Sequence, residues 1–170
     1  MRLVLALLFC LAAPFCLTAR GAEPKRLTID DYFLRFPAST FENPAKEWLK
    51  FLRQPRCGVD DRANGYISCI GDGAQAPFEV ALFRYKDGRP LLALCQGELE
   101  GPRSKYLDFY EQQPNGDVLK VARTIFPIPD DKGFAFELPR QGRTIIVRVE
   151  KGGDVKAKYT WNGEKFVEDR

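Results

Sequence analysis

Carboxylates, cysteines and cations carry whatever chemistry this chain performs, because its 170 residues include no histidine. That absence excludes a Ser-His-Asp triad, a Cys-His dyad and any His-ligated zinc or copper centre. Paired acids remain: Asp60-Asp61, Asp72 and Asp130-Asp131, all in stretches that read as loops. A glycoside hydrolase needs two carboxyls facing each other across a cleft. Adjacent Asp residues in a turn do not supply that arrangement, and Asx-turn chemistry accounts for them. Asp72-Gly73 lacks the spaced acids of a calcium loop. Ser104-Lys105 has the residue types of a Ser–Lys nucleophile, but neighbours on a strand point to opposite faces.

The cysteines speak to compartment. Met1 and Arg2 precede an apolar run from Leu3 to Leu17, shorter than the roughly 20 residues of a bilayer span, with a small-residue exit at Ala19-Arg20-Gly21. We read residues 1–21 as a secretory signal peptide and 22–170 as one globular domain in a secreted or periplasmic protein. Phe precedes both Cys10 and Cys16, where a lipoprotein signal needs a small residue. Cleavage removes Arg2 and Arg20 and no acid, so the net charge falls from +3 to +1. Such a chain is not steered to nucleic acid, and no later segment is apolar enough to span a membrane. In an oxidising compartment two of Cys57, Cys69 and Cys95 are expected to pair. Cys57 with Cys69 closes a loop of about a dozen residues, worth on the order of 3 kcal/mol in chain entropy. Cys95, within Leu91-Leu92-Ala93-Leu94-Cys95, reads as a buried hydrophobe.

The positioning elements are short helices followed by strands. Thr28 is the expected cap of a first helix, with Asp30 and Asp31 in its first turn and Pro37 ending it. Asn43 is the expected cap of a second, with Pro44 at its first position and Pro55 after it. Trp48, Leu49, Phe51 and Leu52 give that helix an apolar stripe. Residues 22–56 are thus helical, and 65–170 form an antiparallel meander of about eight strands: an α+β, mainly β fold, bent into a sandwich or half-barrel. Asp87-Gly88, Asn115-Gly116, Gln141-Gly142, Gly152-Gly153 and Asn162-Gly163 mark its hairpins.

Hairpin arithmetic predicts the register. A two-residue Asn115-Gly116 loop sets Asp108 opposite Arg123, Glu111 opposite Lys120, Tyr110 opposite Val121 and Tyr106 opposite Ile125. A two-residue Gln141-Gly142 loop pairs Leu138 with Ile145, Phe136 with Val147 and Phe134 with Val149. A three-residue loop over residues 151–153, with a glycine in the left-handed region, pairs Val149 with Val155, Val147 with Ala157 and Ile145 with Tyr159. The turn from Trp161 to Glu164 sets Phe166 beside Tyr159. The expected core of this C-terminal sheet is Phe134, Phe136, Leu138, Ile145, Val147, Val149, Val155, Tyr159 and Phe166.

The same register collects cations on the opposite face. Ala135, Arg148 and Lys156 form one row, and Glu137, Ile146 and Lys158 the next. Arg148 opposite Lys156 is a like-charge pair that calls for a negative neighbour. Arg148, Lys156 and Lys158 are therefore the nominated binding residues, with a protein or an anionic ligand as partner. No cofactor or metal is called for. The reading is a non-catalytic binding module, of the inhibitor or immunity type. The alternatives are a structural envelope component and a small carboxylate-dependent hydrolase.

Overall fold

The computed structural model describes residues 26–54, 58–71, 76–98, 104–128, 133–150 and 153–170. Residues 1–21, Pro55, Cys57, Asp72, Asp130, Asp131, Lys151 and Gly152 lie outside the described residues, as do the side chains of Ser104 and Lys105.

The expected class is observed: mainly β, with short helices leading into antiparallel strands. Helix α1 (Ile29–Phe33) is followed by α2 (Ala45–Leu52). Strands β1 (Gly58–Asp61), β2 (Tyr66–Cys69), β3 (Phe78–Arg84), β4 (Pro90–Gly97), β5 (Ser104–Gln112) and β6 (Val118–Val121) form a six-stranded sheet in sequence order. Strands β7 (Phe134–Glu137), β8 (Thr144–Val149), β9 (Val155–Trp161) and β10 (Phe166–Glu168) form a second sheet in the order β10-β9-β8-β7. All described pairings are antiparallel. The sheet thus begins at Gly58, earlier than residue 65, and the strands number ten among the described residues.

Two hydrophobic clusters make the large sheet a middle layer. Ile67, Phe78, Val80, Leu92, Leu94 and Tyr110 pack against Ile29, Phe33, Trp48, Leu49 and Leu52 of the helices. The alternate residues Ala81, Phe83, Leu91, Ala93, Cys95, Leu107 and Phe109 pack against Phe136, Ile145, Val147, Trp161 and Phe166 of the small sheet. Because both of its faces are covered, β4 is buried without interruption from Leu91 to Cys95. Cys95 is fully buried as expected, with Sγ 3.6 Å from the Phe136 carbonyl oxygen.

Helix α1 starts where Thr28 predicts it. Thr28 Oγ1 accepts from Asp31 N at 3.4 Å and Asp31 Oδ2 accepts from Thr28 N at 2.8 Å, a reciprocal cap. Helix α2 starts one residue later than Asn43 predicts: Pro44 itself is the cap, and no side chain caps the helix. Its hold is lateral. Trp48 packs edge-on against Phe78, with ring centroids 5.2 Å apart. A Cβ on Gly58 would run into Ser68 O and Leu52, so β1 passes too close for any other residue.

Three register expectations change. At the β5–β6 hairpin, Gln112 pairs with Val118 and Phe109 with Val121, one residue from the expected frame. The loop spans residues 114–116, since Gln113 N bonds Asp117 O and Gly116 N bonds Gln113 O. Pro114 explains the shift. Its ring presets the φ of the second residue of a type I turn, and Gly116, at φ 93°, takes the left-handed position after it. Lys120 therefore faces Tyr110 and reaches Asp108 at 2.8 Å, while Arg123 and Ile125 leave the ladder for a 3₁₀ turn.

At the β8–β9 hairpin the expected pairs hold from Ile145–Tyr159 to Val147–Ala157, and Gly153 adopts φ 76°. Beyond Val147 the register shifts, so Arg148 faces Val155 instead of Lys156. The bulge leaves Lys156 as the extra residue and turns Val155 onto the outer face, where it is 47 % exposed and not core. Phe134 and Val149 are half-buried at the sheet's end. Finally, Phe166 faces Trp161 and Glu168 faces Tyr159. The turn is a two-residue one at Gly163-Glu164, closed by Asn162 N to Lys165 O, with Gly163 at φ 95°. Trp161 is accordingly core, 2 % exposed. The β7–β8 register is as predicted from Phe134–Val149 to Glu137–Ile146; the expected Leu138–Ile145 pair lies beyond the ladder, where Leu138 N donates to Glu79 on the large sheet.

No disulfide at bonding distance joins described residues. Cys69 is buried on β2 opposite Gly58, the residue after Cys57 in sequence.

Candidate functional site

The three nominated cations occupy the outer face of the small sheet but do not act as a group. Arg148 is half-buried, with Nε 2.9 Å from Glu137 Oε2 and Nη1 3.2 Å from the Gly153 carbonyl oxygen. Its charge is answered by the residue diagonally across β7, the negative neighbour that the row requires. Lys156 stands at the bulge, out of line with Arg148. Lys158 faces Ile146 as expected and borders a 540 Å³ hollow that also holds Glu137, Arg140 and Asp169. That hollow is mixed in sign.

One wall of it is acidic. Glu79, on β3, accepts a hydrogen bond from Leu138 N at 2.8 Å, which ties the large sheet to the start of the β7–β8 loop. Burial raises its carboxyl above the ordinary range, against the lowering effect of the Leu138 N–H. Burial also raises the Tyr66 phenol beside it, further helped by the Glu79 charge. Glu79 and Glu137 both line this hollow and a second one of 420 Å³.

A concentrated cationic site lies elsewhere, in a 460 Å³ cleft at one end of the layers. Five segments converge there: residues 26–29 ahead of and into α1, the β1–β2 turn, the last residues of β3, the β7–β8 loop and the end of β9. They place four arginines in the lining, Arg26, Arg62, Arg84 and Arg143, and the described lining contains no carboxylate. The segments are held by backbone contacts. Gly65, at φ 66°, turns the chain so that its carbonyl accepts from Leu82 N at 2.8 Å. Trp161 Nε1 donates to Arg84 O at 2.7 Å and Trp161 N to Arg143 O at 2.9 Å, which joins the two sheets at the cleft. Arg84 reaches Leu27 O at 3.5 Å and Gly88 O at 3.1 Å, so it spans from the α1 leader to the β3–β4 turn.

The four arginines are not equally engaged. Arg62 Nη2 lies 2.6 Å from Asp30 Oδ2 and 3.3 Å from Asp60 Oδ2, carboxylates that stand behind the cleft. Arg53, at the end of α2, approaches the same two acids at 2.9 and 3.4 Å. Asp30 is 7 % exposed; its carboxyl is raised first by burial and then by the neighbouring Asp60 carboxyl, against the lowering effect of Arg62 and Arg53. Arg26 and Arg143 are exposed, and among the described residues neither is in an ion pair. A guanidinium stays charged across the physiological range and grips carboxylate or phosphate through paired N–H bonds. The cleft is thus a permanently positive pocket of a size suited to a small ligand or a side-chain cluster.

Sequence reasoning missed this site. Its arginines are separated by 36, 22 and 59 positions in the chain, and no spacing rule joins them. Among the described residues no group of three or more Cys, Asp or Glu is placed to hold a metal ion, and no helix is long and apolar enough to cross a membrane. No known protein family, curated protein or solved structure matches this chain.

Proposed function

We propose that the chain is a secreted or periplasmic, non-catalytic binding module that takes hold of an anionic group in the arginine cleft. One observation carries the reading: four arginines from four separate segments line one hollow without a carboxylate in its described lining. Gathering like charges costs energy, and an anion in the hollow offsets it. The group belongs either to a small ligand or to an acidic segment of a partner protein, as suits an inhibitor or immunity-type binder. The nominated trio Arg148, Lys156 and Lys158 is a weaker site on the same argument, because Glu137 already answers Arg148.

Calorimetric titration at low salt with free sulfate, and separately with a short poly-glutamate peptide, tests the reading. Arg26→Ala with Arg143→Ala should weaken whichever probe binds by about tenfold or more, since charged hydrogen bonds are worth about 1.5–3 kcal/mol each. Tighter binding of the peptide identifies a protein partner, and equal binding identifies a small anion. A larger loss from removing Arg148, Lys156 and Lys158 would move the site to the open face.

Glu79 and Glu137 on a shared wall favour a second reading, a small carboxylate-dependent hydrolase. Both carboxyls are already committed, one to Leu138 N and one to Arg148. That commitment ranks this reading second.

A further inference from the structure

Arg62 lines the cleft and is also ion-paired with two acids, Asp30 and Asp60. The carboxylates of Asp30 and Asp60 take opposite ends of a short path: Asp30 comes from α1 and Asp60 from β1. Arg53 and Arg62 bracket both at Oδ2. The other oxygens, Asp30 Oδ1 and Asp60 Oδ1, are buried and accept no hydrogen bond among the described residues. The two carboxyls meet at one nitrogen: Arg62 Nη2 lies 2.6 Å from Asp30 Oδ2 and 3.3 Å from Asp60 Oδ2. A single proton held between them would satisfy both orphaned oxygens, and two carboxylates this close resist ionising together.

The other charges nearby are already placed. Asp61 is held by Arg140 at 2.7 Å and by Asn64, and Asp31 by Thr28. The groups that face the pair are therefore Arg53 from the end of α2 and Arg62 from the β1–β2 turn, neither of which gives up its proton in the working range. With both acids ionised, the quartet is neutral. With one proton on the pair, it carries one net positive charge, and the compensation behind Arg62 is weaker.

We propose that anion binding in the cleft is linked to a proton shared by Asp30 and Asp60, with Arg62 as the connection. The proposal rests on the cleft reading above. An anion and the acid pair compete for the same guanidinium charge, so each disfavours the other. Protonating the pair releases Arg62 toward the cleft, and by reciprocity an anion in the cleft draws a proton onto the pair. Burial lifts the Asp30 carboxyl above the usual aspartate range, and the neighbouring Asp60 carboxyl lifts it further. The module then holds an anion more tightly as its surroundings acidify.

Inorganic sulfate is the probe, because neither it nor arginine changes charge between pH 4.5 and pH 7.5. Titration of the mature chain should show about fivefold or tighter binding at the lower pH. Paired runs in two buffers of different ionisation enthalpy should show net proton uptake. Asp30→Asn and Asp60→Asn should each flatten the pH profile and raise affinity at pH 7.5, and either alone suffices if the other fails to fold. Asp154→Asn, an exposed acid beyond β8, should keep the slope and so exclude a general gain of positive charge. Sulfate binding that Arg143→Ala weakens but that is flat with pH, or that keeps its slope in both Asn variants, overturns the linkage and leaves the cleft standing. Absence of sulfate binding overturns the linkage; failure of the poly-glutamate peptide as well, or indifference to Arg143→Ala, overturns the cleft reading with it.

Discussion

The two sheets solve the same problem under different constraints. The six-stranded sheet is a middle layer, with helices on one face and the small sheet on the other, and its central strand β4 is buried at five consecutive positions. The four-stranded sheet has a single covered face. Along β8, Ile145 and Val147 are fully buried while Thr144, Ile146 and Arg148 alternate with them toward solvent. The difference teaches where charge can gather. A strand buried on both faces has no room for polar side chains except at its ends, and the arginine cleft sits at such an end, where β3 runs out at Arg84. An open face tolerates cations anywhere, so they spread out and find local partners, as Arg148 does.

The largest expected effect tests this contrast directly. In β4, Leu92→Asp and Ala93→Asp point to opposite faces and should both prevent folding. Each buries an unpaired charge at a cost of several kcal/mol, comparable with a whole stability margin of about 5–15 kcal/mol. In β8, Val147→Asp should do the same while Ile146→Asp leaves a folded protein. Chemical denaturation of the four variants checks it, and equal damage at Ile146 and Val147 would mean that the small sheet is covered on both faces.

A smaller effect sharpens the join between the sheets. Burial raises Glu79, so the native state binds its proton more readily than the unfolded chain does. Stability from this group is complete at pH below the ordinary carboxylate value and declines as pH rises toward the native value. Glu79→Gln keeps an oxygen for Leu138 N and never ionises. Its thermal midpoint should match wild type near pH 4 and exceed it by a few degrees near pH 7. A variant less stable at pH 7 would show that the charged acceptor is worth more than its burial costs.

The smallest effect belongs to the open face. Removing Arg148, Lys156 and Lys158 together should move the thermal midpoint by no more than the loss of one exposed ion pair, under about 1 kcal/mol. A substantial drop would place these side chains among the supports of the fold.

Local chemistry was legible in the sequence wherever one short stretch contained all the parties. Thr28 and Asp31 cap α1 because the donor and acceptor sit three residues apart. Strands β7 and β8 pair in the expected register because the alternation on both allows one frame only. Where the local signal and the structure differ, a neighbouring residue decides. Pro114 set the type I turn that slipped β5 against β6, and the bulge at Lys156 traded an expected core valine for an exposed one.

What the chain could determine by itself was the α+β class, the antiparallel meander and most of the core of the small sheet, all consequences of period-two burial and turn residues acting within a few positions. Only the tertiary structure decided that the meander splits into two sheets after β6, which face of each sheet is covered, and that Arg26, Arg62, Arg84 and Arg143 share one hollow. The physical reason is range. Capping, turn geometry and alternation act between near neighbours and leave a periodic mark in the sequence. The cleft depends on how three layers stack, and the side chains that meet there interact through space across stretches of chain that carry no common pattern.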